Sequence, residues 1–230
     1  MQTSTDSEKN DCRPYVLFIG GFMDGYSKVV YQVYEAYKAE MDTHAGRQYV
    51  YYQRHYPWYR GFNKHLNQMI DGQAAYFSRF KQTVVIVAHS WGATTAMRLI
   101  KNRLALQGMT VRLLVTCDPV GSIKSMQRSS AIERWRNVYV DYTLPGNRFH
   151  IRDEIPFSSN TVAKIDSLLK LPAQPFGIKG GPLGASAQAD VNEAVCCNGD
   201  PGAEVLEMAD AHAQVDLMFA QVKTEVAGIL

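Results

Sequence analysis

Residues 83–92, Thr83-Val-Val-Ile-Val-Ala-His-Ser-Trp-Gly92, decide the fold class of this 230-residue chain. The first six residues form a short, apolar and mostly β-branched run, which is typical of a buried strand. A helix is predicted to follow over residues 92–107, because apolar side chains recur there at helical spacing and Gly108 ends the pattern. A buried strand that leads through a tight turn into a helix is typical of parallel α/β sheets.

Further strands and helices are predicted on both sides of this unit. Apolar runs predict strands over residues 15–19, 48–52, 111–117, 136–141 and 204–208. Amphipathic spacing predicts helices over residues 26–43, 63–80, 122–134, 160–170 and 212–228. This alternation predicts a single α/β domain over residues 14–230, with a mostly parallel sheet of about six strands and helices on both faces. Residues 1–13 are polar, and we expect them to be a flexible N-terminus.

Residues 142–203 depart from this regular alternation, since they are rich in proline and glycine. A connection of this length inside a compact domain is often a lid or a binding segment. Its apolar residues, such as Phe157, Leu169 and Phe176, favour a lid over an apolar pocket. The alternative is a structural excursion that packs against the edge of the sheet.

Composition and charge argue against several classes of protein. The net charge of +2 and the pI of about 8.3 are too close to neutral to favour a nucleic-acid partner. The polar N-terminus is unlike a Sec signal peptide, and no apolar stretch reaches the ~18 residues of a spanning helix. We therefore expect synthesis in the cytoplasm, with secretion by a route without a cleaved signal left open. The cysteines have the spacing of neither a zinc site nor a disulfide framework, and we expect reduced thiols at Cys12, Cys117, Cys196 and Cys197.

The segment Ala88-His89-Ser90-Trp91-Gly92 indicates chemistry as well as fold. It resembles the nucleophile elbow G-x-S-x-G of the α/β-hydrolases, with alanine in place of the first glycine. Small residues flank the serine in that motif because the turn is tight and the serine backbone is strained. The alternative is a serine that only caps the following helix.

The resemblance covers most of residues 15–228 and is strongest to lipases and esterases, a class that includes lipase effectors delivered between bacterial cells. It implies an α/β-hydrolase fold whose sheet lacks the usual first hairpin. It also implies a base and an acid after the serine, in the order serine, acid, histidine.

Two histidines and two aspartates are candidates for these roles. His212 lies just before the predicted closing helix, where the family has its catalytic histidine, and His150 is the alternative base. Asp118 follows the strand predicted over residues 111–117 and resembles the Asp-Pro acid of some lipases. Asp141, at the end of the next predicted strand, is the alternative acid.

The resemblance also implies an oxyanion hole made of two backbone N–H groups. One belongs to the residue after the nucleophile, Trp91. The other belongs to the loop after the first strand, where Phe22 is our first choice and Met23 the alternative. Gly20-Gly21 in that loop could instead indicate a phosphate cradle, but neither G-x-G-x-x-G nor G-K-[ST] follows.

The residues expected beside the substrate are Met23, His89, Tyr56 and Trp58. His89 directly precedes the serine, so we expect it to pack within the elbow with its ring turned away from the serine hydroxyl. Tyr56 and Trp58 belong to residues 51–62, where aromatic side chains are interleaved with arginines. That pattern suits an acyl chain beside an anionic head group, or transient contact with a membrane surface. Ordinary packing between this loop and the next helix is the alternative.

These features predict a carboxylic-ester hydrolase that acts on a lipid or another small acyl ester without a metal or a cofactor. A thioesterase or acyltransferase with the same triad is the first alternative. The second is a non-catalytic protein of the hydrolase fold that binds a ligand or a partner.

Overall fold

The computed structural model describes most of the chain from residue 15 onwards, with gaps. The described residues are 15–21, 24, 28–41, 48–52, 71–72, 75, 83–121, 124, 126–140, 149–150, 178–179, 181–185, 187–195, 206–207 and 214–229.

Among the described residues, six strands form the main sheet, and all five pairings between neighbouring strands are parallel. Their bounds are β1 (Tyr15–Ile19), β2 (Gln48–Tyr52), β3 (Val84–His89), β4 (Val111–Cys117), β6 (Trp135–Val140) and β9 (Val191–Val195). Their order across the sheet is β2-β1-β3-β4-β6-β9. Two further pairs of short strands lie outside this sheet. They are β5 (Val120–Gly121) with β8 (Ile178–Lys179), antiparallel, and β7 (Phe149–His150) with β10 (Leu206–Glu207), parallel.

Helices cover both faces of the sheet. Side chains alternate along β1 and β3, so that Leu17 and Ile86 belong to one core cluster while Phe18 and Val87 belong to another. The helices are α1 (Val29–Met41), α2 (Trp91–Leu99), α3 (Val215–Ala220) and α4 (Lys223–Ile229). The first cluster is covered by α2, and the second by α1, α3 and α4. The predicted parallel α/β arrangement is thereby confirmed.

The long helix predicted over residues 92–107 is also confirmed, although its last part is irregular. It continues from α2 through a wider π-type turn at Ile100–Leu104 and a tighter 3-10 turn at Ala105–Gln107. Gly108 ends it with a φ of 69°, a left-handed conformation that glycine adopts without strain. The predicted closing helix is interrupted by a turn between α3 and α4. Within the described part of the chain, no helix combines the length and apolar character needed to cross a membrane.

The strand predicted over residues 204–208 is confirmed at residues 206–207, but it does not belong to the main sheet. The last strand is β9, which falls in a segment expected to be irregular, and residues 206–207 instead pair with β7 outside the main sheet. The apolar pattern did not predict β9, because β9 is an edge strand with the polar residues Asn192 and Glu193 at its centre. Glu193 forms an ion pair with Arg136 of β6, so cross-strand contacts compensate for its weak apolar pattern.

The helix predicted over residues 122–134 was wrong, because the described residues of that range form turns. Their polar backbone groups bond to neighbouring elements rather than along a helix. The N–H of Glu133 donates to the carbonyl oxygen of Val111 at 2.9 Å. The guanidinium of Arg128 donates to the carbonyl oxygens of Ile132 and Glu133. Of the helix predicted over residues 63–80, residues 71, 72 and 75 are described and helical, whereas residues 160–170 lie outside the described part.

Candidate active site

The strand order reverses between β1 and β3, at the carboxyl ends of these two strands. From β1 the chain goes to β2 on one side, and it then crosses to β3 on the other side of β1. In open parallel sheets, ligands bind where the strand order reverses in this way. The residues that follow β1 and β3 at this point are Gly20, Gly21 and Ser90.

Ser90 forms a one-residue turn between β3 and α2. Its φ of 54° and ψ of −127° lie in a region that residues with a Cβ rarely adopt, and such a conformation costs about 1–3 kcal/mol. The side chain of Ser90 makes no capping hydrogen bond to α2, although the residue occupies the N-cap position. The helix therefore does not use this hydroxyl, which weakens the alternative that the serine is only a cap.

Glycines make the tight turn sterically feasible. A Cβ added to Gly92 would stand 2.8 Å from the carbonyl oxygen of Gly20, so the start of α2 lies against the end of β1. A Cβ added to Gly21 would stand 2.7 Å from the Cβ of Ser90 and 3.2 Å from its Oγ. Ala88, which replaces the first glycine of the motif, is fully buried in β3 and leaves the strand regular.

Backbone hydrogen bonds hold the strained serine between two neighbouring elements. The N–H of Ser90 donates to the carbonyl oxygen of Cys117 at 3.0 Å, and its own carbonyl oxygen accepts from the N–H groups of Ala93 and Val120. The hydroxyl of Thr94 donates to the carbonyl oxygen of Val120 at 2.8 Å. The turn is therefore fixed to the end of β4 and to the segment that follows it.

Asp118 follows β4 as directly as Ser90 follows β3. His89 and Cys117 are register partners, so the next residue of each strand lies at the same edge of the sheet. Asp118 is fully buried with a φ of 44°, and its N–H donates to the carbonyl oxygen of Val138 at 2.8 Å. Its Oδ1 accepts a hydrogen bond from the N–H of Gly181 at 2.7 Å. A buried carboxylate needs such donors, because burial without them is costly.

Cys117 is the other reactive residue type at this edge, and its surroundings make it inert. Burial raises the pKa of the Cys117 thiol to about 12, and the charge of Asp118 contributes in the same direction. The thiolate is the nucleophilic form of cysteine, and almost none is present at neutral pH with such a pKa. Cys117 is a free, buried thiol, and its raised pKa disfavours it as a nucleophile.

Asp24 connects the end of β1 to the start of α1. Asp24 is 1% exposed, and its Oδ1 accepts a hydrogen bond from the N–H of Val30 in α1 at 2.9 Å. A Cβ added to Gly20 would stand 2.5 Å from Oδ2 of Asp24, so the carboxylate packs on the glycine. Phe22 and Met23, the candidates for the second oxyanion donor, lie outside the described residues. Trp91, the first candidate donor, begins α2 and is 7% exposed.

The candidate bases are placed only in part. His212 lies outside the described residues, in the connection between β9 and α3. The backbone of His150 belongs to β7 and pairs with Glu207 of β10, which lies five residues before His212 in the sequence. His89 is 5% exposed, and the alternation along β3 directs it to the face opposite Ala88, as expected for a packed histidine.

The remaining sequence candidates, Asp141, Tyr56 and Trp58, lie outside the described residues. Of the segment predicted as a lid, residues 149–150, 178–179, 181–185 and 187–195 are described, and the last two ranges bear on its packing. They contribute Leu183 and Ala187 to the core cluster beneath α2 and end in β9. These residues pack against the sheet, and the lid over residues 142–203 stays a prediction. Among the residues that the structure describes, no three His, Cys, Asp or Glu side chains come together as a metal ion would require.

Sequence reasoning missed a group of polar residues next to Asp118. Gly181 donates to Asp118, and Asn137 contacts Gly181 through a side-chain hydrogen bond. Asn137 and its register partner Thr116 are completely buried, each in a strand with mainly apolar residues. A polar residue at a buried strand position is a signal that the sequence does contain, but its partners come from distant segments.

No protein-family model matches the chain, and no curated protein matches it in sequence.

Proposed function

We propose that this chain is a serine hydrolase of the α/β-hydrolase fold that cleaves carboxylic esters with Ser90 as nucleophile, His212 as base and Asp118 as acid. The observation that carries the proposal is the strained turn at Ser90, which sets its side chain against Gly21 at the reversal of strand order. Strain of this kind is maintained only where surrounding bonds enforce it, and it is typical of functional sites.

The order of the elements supports the proposal as well. Ser90 follows an interior strand of the sheet, Asp118 follows the neighbouring strand, and His212 lies in the connection between the last strand of the sheet and the closing helices. This is the chain order serine, acid, histidine of the α/β-hydrolases. Asp118 is favoured over Asp141 as the acid because its carboxylate is buried beside the elbow and bonded to a backbone N–H.

Acylation would proceed by attack of Ser90 Oγ on the ester carbonyl carbon while His212 removes the hydroxyl proton. The negative charge that develops on the carbonyl oxygen would be stabilised by the N–H groups of Trp91 and Phe22. The tetrahedral intermediate then breaks its bond to the alcohol, which leaves with the proton from His212. Asp118 stabilises the imidazolium that exists between these two transfers.

Deacylation would repeat the same steps with water. His212 removes a proton from water, and the resulting oxygen attacks the acyl carbon. The bond to Ser90 breaks, and its Oγ recovers the proton from His212. The products are a carboxylic acid and an alcohol, and the enzyme returns to its starting state without a metal or cofactor in any step.

The substrate we propose is a lipid or another ester with an extended acyl chain. Residues 51–62 provide the aromatic and basic side chains for this role, and the segment begins at the carboxyl end of β2, on the same edge of the sheet as Ser90. Apolar binding would favour longer acyl chains by about 0.8 kcal/mol for each buried methylene.

Covalent labelling tests the nucleophile directly. We expect a fluorophosphonate probe to modify Ser90 alone, as located by peptide mass spectrometry, and Ser90→Ala to remove both labelling and ester hydrolysis. Ser129→Ala is the matched control, because Ser129 is also buried but caps a turn through Ala131. Modification of another serine, or unchanged hydrolysis by Ser90→Ala, would refute the assignment.

A series of p-nitrophenyl esters from acetate to palmitate tests the substrate class. We expect kcat/KM to rise with acyl length until the pocket is filled. A series that falls beyond acetate would contradict the lipid proposal and leave the assignment of Ser90 intact.

A further inference from the structure

Three polar residues occupy neighbouring positions on three adjacent strands of the main sheet. Thr116 of β4 is the register partner of Asn137 of β6, which is in turn the register partner of Asn192 of β9. Thr116 and Asn137 are completely buried. Strands of a parallel sheet that is covered on both faces are normally apolar, so the buried polar pair of Thr116 and Asn137 needs a reason.

Hydrogen bonds connect this row in one fixed direction. The indole Nε1–H of Trp135 can only donate, and it donates a hydrogen bond to Oγ1 of Thr116 at 3.0 Å. The Thr116 hydroxyl therefore directs its own proton to Oδ1 of Asn137 at 2.9 Å. Because that amide oxygen is now an acceptor, the Nδ2 group of Asn137 must donate on its other side.

The Nδ2 group of Asn137 donates to two acceptors, Oδ1 of Asn192 at 2.9 Å and the carbonyl oxygen of Gly181 at 3.2 Å. The side chain of Asn192 in turn bonds to both backbone polar groups of Leu183. Its Oδ1 accepts from the N–H of Leu183 at 2.9 Å, and its Nδ2 donates to the carbonyl oxygen of Leu183 at 3.2 Å. The segment from Gly181 to Leu183 is thus fixed by two asparagine side chains.

The same segment supplies the donor to the acid. The N–H of Gly181 donates to Oδ1 of Asp118 at 2.7 Å, while the carbonyl oxygen of Gly181 is held by Asn137. Gly181 has a φ of 81°, a conformation suited to glycine, so the backbone turns where it meets the carboxylate. β5, which follows Asp118, pairs antiparallel with β8, which precedes Gly181, so the two segments that make this contact are also joined beside it.

We infer that Asn137 and Asn192 are positioning residues for the acid. They act through Gly181 to fix the direction of the Asp118 carboxylate, and thereby the stability of the imidazolium at the base. The inference rests on the proposed function and extends it to a determinant of the triad that does not touch the substrate. A network in which every member is satisfied rigidifies its surroundings, whereas a half-satisfied one loses that effect.

The decisive variants are Asn137→Ala and Asn192→Ala. Kinetics with p-nitrophenyl butyrate over pH 5 to 9, together with the rate of fluorophosphonate labelling, measure their effect. We expect each variant to lower kcat and the labelling rate roughly 10-fold, as is typical when an outer contact of an active residue is lost, with KM unchanged. The acid limb of the pH profile should move to lower pH, because a misdirected carboxylate stabilises the imidazolium less.

Two further variants separate positioning from general stability. Thr116→Val keeps the shape of the side chain and removes the donor to Asn137, so it should shift kcat and the acid limb in the same direction by a smaller factor. Ser129→Ala removes a buried hydrogen bond that has no connection to Gly181, and it should leave both unchanged. Asn192 lies on an exposed part of the edge strand, so its variant tests the inference even if Asn137→Ala fails to fold.

The outcomes distinguish the inference from the function on which it rests. The positioning role would be overturned if the variants at both asparagines fold and match the unmodified chain in labelling rate, kcat and pH profile. Ser90 would then remain the proposed nucleophile. A chain whose Ser90 is not labelled at all would overturn the proposed function and the positioning role with it.

Discussion

Gly21 lies so close to Ser90 that no side chain fits between them. A Cβ on Gly21 would stand 2.7 Å from the Cβ of Ser90 and 3.1 Å from the carbonyl oxygen of His89. Gly21, after β1, and the turn after β3 are therefore in direct contact. In the proposed mechanism, the substrate carbonyl is bound next to this contact, with one donor from each side.

Gly21→Ala should consequently impair catalysis much more than stability. The new methyl group must displace either the loop or the Ser90 side chain, and a misplacement of about 1 Å can cost on the order of 10²-fold in rate. Fluorophosphonate labelling rates will measure the effect. Gly184→Ala is the control, because a Cβ at Gly184 meets nothing within 4 Å. Equal labelling of the two variants would show that the contact has no catalytic importance.

Backbone strain at Ser90 predicts an unusual order of stabilities. Glycine tolerates the observed φ of 54°, whereas alanine keeps the strain. Ser90→Gly should therefore exceed Ser90→Ala in free energy of unfolding by about 1 kcal/mol, as measured by urea denaturation. At Ser129, which is outside the positive-φ region, glycine should be the less stable of the two replacements. The same order at both positions would argue against strain in the elbow.

The base is tested by replacing each candidate histidine with alanine. His212→Ala should lower kcat/KM by roughly 10³-fold or more, because the members of a triad act as a unit, and His150→Ala should have a mild effect. Since the base must be neutral to accept the serine proton, activity of the unmodified chain should fall on the acid side with an apparent pKa of roughly 6–7. A large loss with His150→Ala and a small one with His212→Ala would move the base to residue 150.

The acid is tested by exchanging a carboxylate for an amide of the same shape. Asp118→Asn should lower kcat by roughly 10³-fold or more, because the amide no longer stabilises the imidazolium. Asp141→Asn should cost far less, and kcat measured with p-nitrophenyl butyrate will compare the two. If the loss is larger for Asp141→Asn, the acid lies after β6 instead of β4.

Cys117 predicts a difference in stability at alkaline pH. The unfolded thiol titrates near 9.0 and the folded thiol at about 12, so rising pH stabilises the unfolded chain first. Its contribution to the free energy of unfolding is therefore present below pH 9 and is lost between these two values. The stability of Cys117→Ala should fall less steeply between pH 8.5 and 10.5 in urea titrations, and its fluorophosphonate labelling should match that of the unmodified chain. Parallel stability curves would contradict the raised pKa.

Much of the architecture could be predicted because its signals are local. The apolar, β-branched runs of β1, β3 and β4 are long enough to be recognised without knowledge of their partners. The turn at Ser90 could be predicted for the same reason, since the small residues around it directly precede a regular helix. The strand order, by contrast, follows from which apolar edges meet, and no single segment contains that information.

Tertiary structure alone decided the elements whose partners are far away in the sequence. β9 forms because β6 offers it a parallel edge and Arg136 pairs with Glu193, although its own pattern is weak. Residues 126–134 lack a helix because Val111 and the Arg128 guanidinium satisfy their backbone groups. The sequence by itself therefore determined the parallel α/β class and the candidate nucleophile, through periodicity and turn chemistry. Only the folded chain decided what surrounds Asp118, because hydrogen bonds between residues 118, 137 and 181 depend on cross-strand register and not on local pattern.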